Sequence, residues 1–520
     1  MGQYCDVSHS LKSRVFPLSL GAGKKFGGLN LSNNFARERV DEAAYQRAVD
    51  HLRGAEVRLP KISELAQPAT IPTAHTEALA GIDPDRPDAG NLYRVHWFNG
   101  ADRQSRVDVP EHVVLPTELT GVEAKIIVAL GNRFPMIRAH KVLAAYGCLV
   151  PRLLTGQFDP ARHRAVWPST GNYCRGGIAI SRILGCRGVA VLPEGMSRER
   201  FEWLDRWVSD DNDIVRTPGT ESNVKEIYDA CHRLAEDPDN IILNQFSEFG
   251  NYVVHRAVTG PALETLFRHV KGDTPLRARA FVAASGSAGT LAAGDYLKQV
   301  LHTDTAVVEA LECPTLLYNG YGEHNIQGIG DKHLPLIHNV LGNDFVIGVS
   351  DRSSDTLNEL FNTPVGRRFL ADRHQLDQQQ LISLADLGLS SIANVIAAIK
   401  LAKHLGLGSN DAVMTVATDG AEMYGTELAK ASGRRAPAVY DEVDAAQSFG
   451  EHILGIKTDH ILELDTRSHE RVFNLGYYTW VEQQGVSVEA FDARRDPAFW
   501  DDLMQMVDVW DGMIDTFNNH

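Results

Sequence analysis

Between residues 113 and 433 the chain alternates short apolar runs with longer stretches whose apolar positions recur every three or four residues. The short runs predict strands at 125–130, 165–167, 188–192, 213–216, 278–284, 306–310 and 412–417. The longer ones predict helices at 177–184, 197–208, 222–234, 290–300 and 391–405. Strands that alternate with helices in this way predict an α/β fold with mostly parallel sheets, and ligands in such folds bind where the strands end. The flanks read differently. Residues 41–53 form an amphipathic pattern with Ala44, Val49 and Leu52 on one side, 67–91 is a Pro-, Ala- and Asp-rich loop, and 93–98 predicts a strand in which Trp97 packs. Past residue 433, Trp480, Trp500 and Trp510 lie among acidic helical segments and predict a packing face.

Composition narrows the picture without naming a chemistry. The chain has 520 residues, 43% of them hydrophobic and 23% charged, the ordinary balance of a globular protein with room for more than one domain. A net charge of −16 and the lack of a basic patch with interleaved aromatics argue against a nucleic-acid partner. No apolar run approaches the ~18 residues of a membrane span, so no membrane partner is expected. Six scattered cysteines without C-x-x-C pairs give neither a zinc site nor a disulfide framework. That pattern suits a reducing cytoplasm.

Three stretches carry candidate chemistry. Pro168-Ser-Thr-Gly-Asn-Tyr173 joins a predicted strand to a helix and offers hydroxyls, a carboxamide and backbone N–H groups to an anion. Ser285-Gly-Ser-Ala-Gly-Thr290 repeats that placement with small residues, which let backbone N–H groups approach a phosphate. It is neither a Walker loop nor a dinucleotide fingerprint. Lys141 lies just ahead of an apolar stretch, near a helix start. A lysine held in a closed cleft loses its proton readily and forms a Schiff base with a carbonyl. Lysine, phosphate cradle and anion loop together are what pyridoxal 5'-phosphate chemistry needs. The ordinary alternatives are a surface lysine, a helix cap and a tight strand–helix turn.

Further motifs resemble the fold-type-II pyridoxal-phosphate enzymes of the tryptophan synthase β family, above all cysteine synthase and cystathionine β-synthase. Pro193-Glu-Gly-Met-Ser-Arg-Glu-Arg200 and His324-Asn-Ile-Gln-Gly-Ile-Gly330 are similar to runs of cysteine synthases. So is the series Asn244-Gln-Phe246, Asn251, His255 and Thr259-Gly-Pro261. Leu387-Gly-Leu-Ser-Ser391 and Asp419-Gly-Ala-Glu-Met-Tyr424 add to it, and the resemblance covers about residues 113–433. It implies two three-layer α/β domains: a large cofactor-binding one from 113–142 and 255–433, and a smaller one from 143–254. Extensions at 1–112 and 434–520 lie outside the resemblance.

By the same resemblance Lys141 is the Schiff-base lysine and Asn172 faces the cofactor ring. Gly286, Ser287, Ala288, Gly289 and Thr290 hold the phosphate. Ser169, Thr170, Gly171, Asn172 and Gln245 bind the substrate. The family's serine at the pyridine nitrogen is replaced by Gly420, with Thr418 or Asp419 as substitutes. Tyr173 and Cys174 depart from the family beside Asn172, and His140 stands next to the lysine. The implied activity is β-replacement on a serine-, cysteine- or O-acetylserine-type amino acid by way of an aminoacrylate, in a cytoplasmic homodimer that uses no metal. The alternatives are a β-eliminating lyase giving a 2-oxo acid and ammonia, and a catalytically inactive binding protein on the same fold.

Overall fold

The computed structural model describes residues 37–435 and 437–520. Residues 1–36 of the N-terminal extension, with Cys5, lie outside the described residues. Two sheets organise the rest. The larger has seven strands in the order β1-β2-β10-β7-β8-β9-β11: β1 His112–Leu115, β2 Lys125–Leu130, β7 Arg277–Ala284, β8 Asp304–Ala310, β9 Phe345–Val349, β10 Asp411–Ala417 and β11 Ile461–Glu463. The five inner strands run parallel, and the edge strands β1 and β11 are antiparallel to their neighbours. The smaller sheet is fully parallel in the order β5-β4-β3-β6: β3 Arg164–Pro168, β4 Arg187–Pro193, β5 Ile214–Thr217 and β6 Asn240–Ile242.

The central strands are mostly apolar because both faces of each sheet are covered. Alternate side chains of the large sheet enter different cores. Ile127, Ala129, Phe281, Val307 and Met414 join one, while Ile126, Val128, Ala280, Val308 and Val413 join the other. The first core runs on through the helix Lys141–Leu154 to one face of the small sheet, where Ala165, Trp167, Ala190 and Leu192 meet it. Val166, Val189 and Val191 cover the opposite face. The two sheets are thus welded through one helix whose first residue is Lys141.

All seven strands expected between residues 113 and 433 form, with ends shifted by up to two residues. β1, β6, β9 and β11 go beyond them; β6 and β11 have three residues each, too few to show a period. Residues 93–98 are a correction: a 3₁₀ turn over Ala89–Arg94 takes the first two, the rest are irregular, and only an isolated bridge from Asn99 to Arg106 follows. Polar side chains take the backbone there. Arg94 donates to Ile82 O at 2.8 Å, and Asn99 Nδ2 donates to Arg94 O at 2.9 Å, bonds that compete with a strand ladder.

The flanking segments pack onto the α/β body. The helix Glu42–Gly54, capped by Asp41, buries Ala44, Val49 and Leu52 as its pattern predicts. The C-terminal helix Pro497–Asn519 buries Trp500, Leu503, Met506, Trp510, Ile514 and Phe517, a stripe at helical spacing. Trp480, Trp500 and Trp510 are all buried, so the aromatic face is a packing face. Among the described residues no single helix is long and apolar enough to cross a membrane.

Candidate active site

A cavity lies where the strand ends of the two sheets converge. The topology brings Lys141, Ser169, Thr170, Asn172, Gln245, Gly286, Ser287, Ala288, Gly289, Thr290 and Thr418 to its wall. Those residues are spread over 278 positions of sequence, and the two sheets supply different ones. The β3 exit carries Ser169 to Asn172, and the segment after β6 carries Gln245. The β7 exit carries Gly286 to Thr290, and the β10 exit carries Thr418.

Lys141 opens the helix Lys141–Leu154, and its Nζ donates to Ser287 Oγ at 2.9 Å and to Gln245 Oε1 at 3.4 Å. Burial pulls its pKa down to about 8, against the pull of the nearby Asp331 carboxyl in the other direction. About a tenth of this amine is therefore neutral at pH 7, far more than of an ordinary lysine, and the neutral amine is the state a nucleophile or base requires.

The loop Ser285–Thr290 enters the helix Leu291–Leu301. Among the described residues, no acceptor in the protein meets the backbone N–H groups of Gly286, Ser287, Ala288, Gly289 or Thr290. Five free N–H groups at a helix N-terminus form a concave anion site. The loop is also tight. A Cβ on Gly286 would stand 2.6 Å from Gly328 O, and Ala288 holds φ 65°. Asn251 ties this loop to the small sheet, because its Nδ2 donates to Ser287 Oγ at 3.0 Å and to Gln245 O at 3.1 Å.

The opposite wall is braced by buried charges. Asn172 Nδ2 donates to Asp419 Oδ2 at 2.7 Å, and Asn172 Oδ1 accepts from Arg175 Nη1 at 2.8 Å. Arg200 Nη2 meets Asp419 Oδ2 at 3.3 Å, both side chains fully buried, while Tyr424 OH donates to Asp419 Oδ1 at 3.0 Å. The Pro193–Arg200 and Asp419–Tyr424 motifs thus meet behind Asn172, although neither supplies a charged group to the cavity itself.

Several expected residues stand elsewhere. Gly171 does not line the cavity; its N–H donates to Ser169 Oγ at 2.9 Å, and a Cβ there would stand 2.5 Å from Arg200 Nε. Gly420 and Asp419 are also absent from the wall, with Gly420 packed against Ala385 O and Asn132. Thr418 is the one of those three that faces inward. Of the two departures beside Asn172, Tyr173 lines the cavity, while the buried Cys174 thiol donates to Gly171 O at 2.9 Å. His140 lines it too, with Nε2 3.3 Å from Thr290 Oγ1 and its ring stacked on Trp97 of the N-terminal extension. The extension therefore reaches the site wall.

Sequence reasoning missed Ser390, Asn394 and Asp331, all on the wall, and the buried Glu221. Ser390 lies inside a motif already singled out, and Asp331 directly follows Gly330, so position relative to those motifs was the available signal. Glu221 had none, since it sits in an unremarkable polar stretch.

A mostly parallel two-sheet α/β body with a buried lysine facing a phosphate-sized N–H cradle defines a class of cofactor enzyme, and comparison with known proteins agrees. Residues 120–354 match the family model described as pyridoxal-phosphate dependent enzyme. Cysteine synthase B of Campylobacter jejuni is 32% identical over 253 residues, 48% of this chain and 74% of that one. A probable cysteine synthase of Bacillus subtilis is 28% identical over 283 residues, 54% of this chain and 82% of that one. In solved structures, a hydrogen sulfide-producing enzyme of Fusobacterium nucleatum aligns over 64% of this chain and 98% of its own, with 19% identity and a TM-score of 0.51. That last likeness concerns the fold. The chain belongs to the pyridoxal-phosphate dependent enzyme family.

Proposed function

We propose that this enzyme catalyses β-replacement on a serine-type amino acid, exchanging the group on Cβ for a sulfur nucleophile as its cysteine synthase relatives' names describe. The observation that carries the reading is the joint placement of the buried Lys141 Nζ, the free N–H cradle at Gly286–Thr290 and the Ser169–Asn172 loop around one cavity.

The residues present fit the cofactor. The cradle would take its phosphate, Lys141 its aldehyde carbon and Thr418 its pyridine nitrogen, with Asn172 beside the ring. When bound, pyridoxal phosphate supplies a sink for the electrons that remain on Cα once its proton has gone. The chain does the rest. Ser169 and Thr170 present hydroxyls to the substrate carboxylate, and Gln245 borders the same space. Lys141 Nζ takes the Cα proton, a task for which a pKa near 8 is suited because the base is neutral before the transfer and holds the proton after it. Asp419, held by Arg200 and Tyr424, fixes the Asn172 carboxamide from behind. The deep setting keeps water away from the reacting carbon.

The same reading extends to a cytoplasmic homodimer acting on a small amino acid. The five described cysteines are buried free thiols, which suits a reducing compartment, and sedimentation tests the dimer.

Purified protein is expected to be yellow with cofactor, and Lys141→Ala colourless after dialysis. Incubation with L-serine, O-acetyl-L-serine or L-cysteine, with and without sulfide, is expected to give a sulfur-exchanged amino acid. Pyruvate and ammonia as the main products in the presence of sulfide would instead establish the eliminating lyase. A colourless protein that takes up no cofactor would leave only the inactive binding fold.

A further inference from the structure

Two buried carboxyls near the cavity have no use in the chemistry so far. Asp331 is the one carboxylic acid among the described residues that line the cavity, and its Oδ2 is buried with no hydrogen-bond partner. Glu221 is buried as well, and neither of its oxygens makes a hydrogen bond of ordinary geometry, although Thr170, Gly328 and Arg200 stand around it. Native proteins satisfy nearly all such groups, so an unpaired carboxyl oxygen turned into a cavity calls for a partner. Asp331 shares the cavity wall with Lys141, whose charge it feels and whose amine draws the α-proton.

We infer that Asp331 is the acid–base residue at Cβ, and that the substrate is therefore a β-hydroxy amino acid of the L-serine type whose leaving hydroxyl must be protonated. This rests on the β-replacement reading above. Acetate and chloride depart as stable anions and need no acid; hydroxide does not. Burial raises the Asp331 carboxyl to about 7 even against the pull of Lys141, and burial raises Glu221 to about 8, so protons are available there near neutral pH. Glu221 and Asp331 also repel each other when both are charged, which disfavours ionisation of the second once the first has lost its proton.

The step balances. Lys141 Nζ takes the proton from Cα, and the electron pair left there moves into the Cα–Cβ bond as the Cβ–O bond breaks. The oxygen keeps the Cβ–O electrons, takes the Asp331 proton and leaves as water. An incoming thiol gives its proton to the Asp331 carboxylate and its sulfur electron pair to Cβ, and Lys141 returns its proton to Cα. The sum is L-serine plus thiol giving a thioether amino acid plus water, with both side chains restored.

The test compares two leaving groups in the holoenzyme with 2-mercaptoethanol as the thiol. For Asp331→Asn, turnover of L-serine is expected to fall by roughly 100-fold or more while that of β-chloro-L-alanine stays within about threefold. Asp331→Ala should regain L-serine turnover when formate is added. Titration of the apo form with pyridoxal phosphate should give Asp331→Asn the wild-type dissociation constant. Equal losses on both substrates, a variant that no longer holds the cofactor, or a wild type that uses β-chloro-L-alanine but not L-serine would each overturn the assignment and leave β-replacement standing. A wild type that makes thioether from neither would remove both readings.

Discussion

Lys141 shows how a single side chain changes character with its surroundings. In water an amine of this kind is fully charged at neutral pH; burial brings it down to about 8. Because only the neutral amine condenses with an aldehyde, cofactor uptake by the apo form is expected to rise with pH and level off above about 8. A stopped-flow record of colour formation against pH measures this, and a profile still climbing at pH 10 would refute it. Asp419 gives a second expectation at this scale. Asp419→Ala leaves the Arg200 guanidinium buried without its carboxylate, which should cost about 3–5 kcal/mol in denaturant unfolding. The individual residues that matter chemically were largely legible in sequence where they fall inside compact motifs, as with Lys141, Asn172 and Thr290. Glu221 was not, because nothing local marks a carboxylate that becomes buried only through strands and loops arriving from elsewhere.

At the scale of elements, the loop Ser285–Thr290 is shaped by backbone geometry more than by side chains. Ala288 sits in the left-handed region, where an L residue is strained by about 1 kcal/mol. Ala288→Gly should recover a comparable amount in thermal unfolding with cofactor affinity unchanged. Gly289→Ala should do the opposite. Its Cβ would stand 2.2 Å from Asn251 Oδ1, displacing the amide that joins Ser287 to Gln245. Losing one such hydrogen bond is worth about 1 kcal/mol, so pyridoxal-phosphate affinity should drop about five- to tenfold in fluorescence titration. The strand–loop–helix order of this element was readable from its apolar run and small residues. Its partnership with Asn251 was not.

Across the whole molecule, the two terminal segments act as structural walls. Trp97 covers His140, next to Lys141, and the C-terminal helix packs against the helix Lys141–Leu154 and the helix Phe249–Val254. Removing residues 497–520 strips six buried side chains from the main core. At ~1.5–3 kcal/mol each, that loss is comparable to the whole stability of a typical protein, about 5–15 kcal/mol. The truncated chain is therefore expected to aggregate or to melt far below the full-length protein in differential scanning fluorimetry. Unchanged melting and turnover would show that the helix is dispensable.

What the sequence determined by itself was local. Short apolar runs and period-3.6 patterns placed most strands and helices, since burial of a strand or a helix face acts over a few residues, and motif order placed the cofactor loops. Tertiary structure decided which of those loops share a cavity wall. Thr418 faces inward while Gly420 and Gly171 turn away, and Asp419 is spent on Arg200 and Asn172 rather than on the cavity. It also decided that Asp331 shares a cavity wall with Lys141 and keeps an unpaired oxygen. Desolvation is the physical reason: the charge and proton affinity of these groups depend on everything packed around them, and that neighbourhood is assembled from residues hundreds of positions apart.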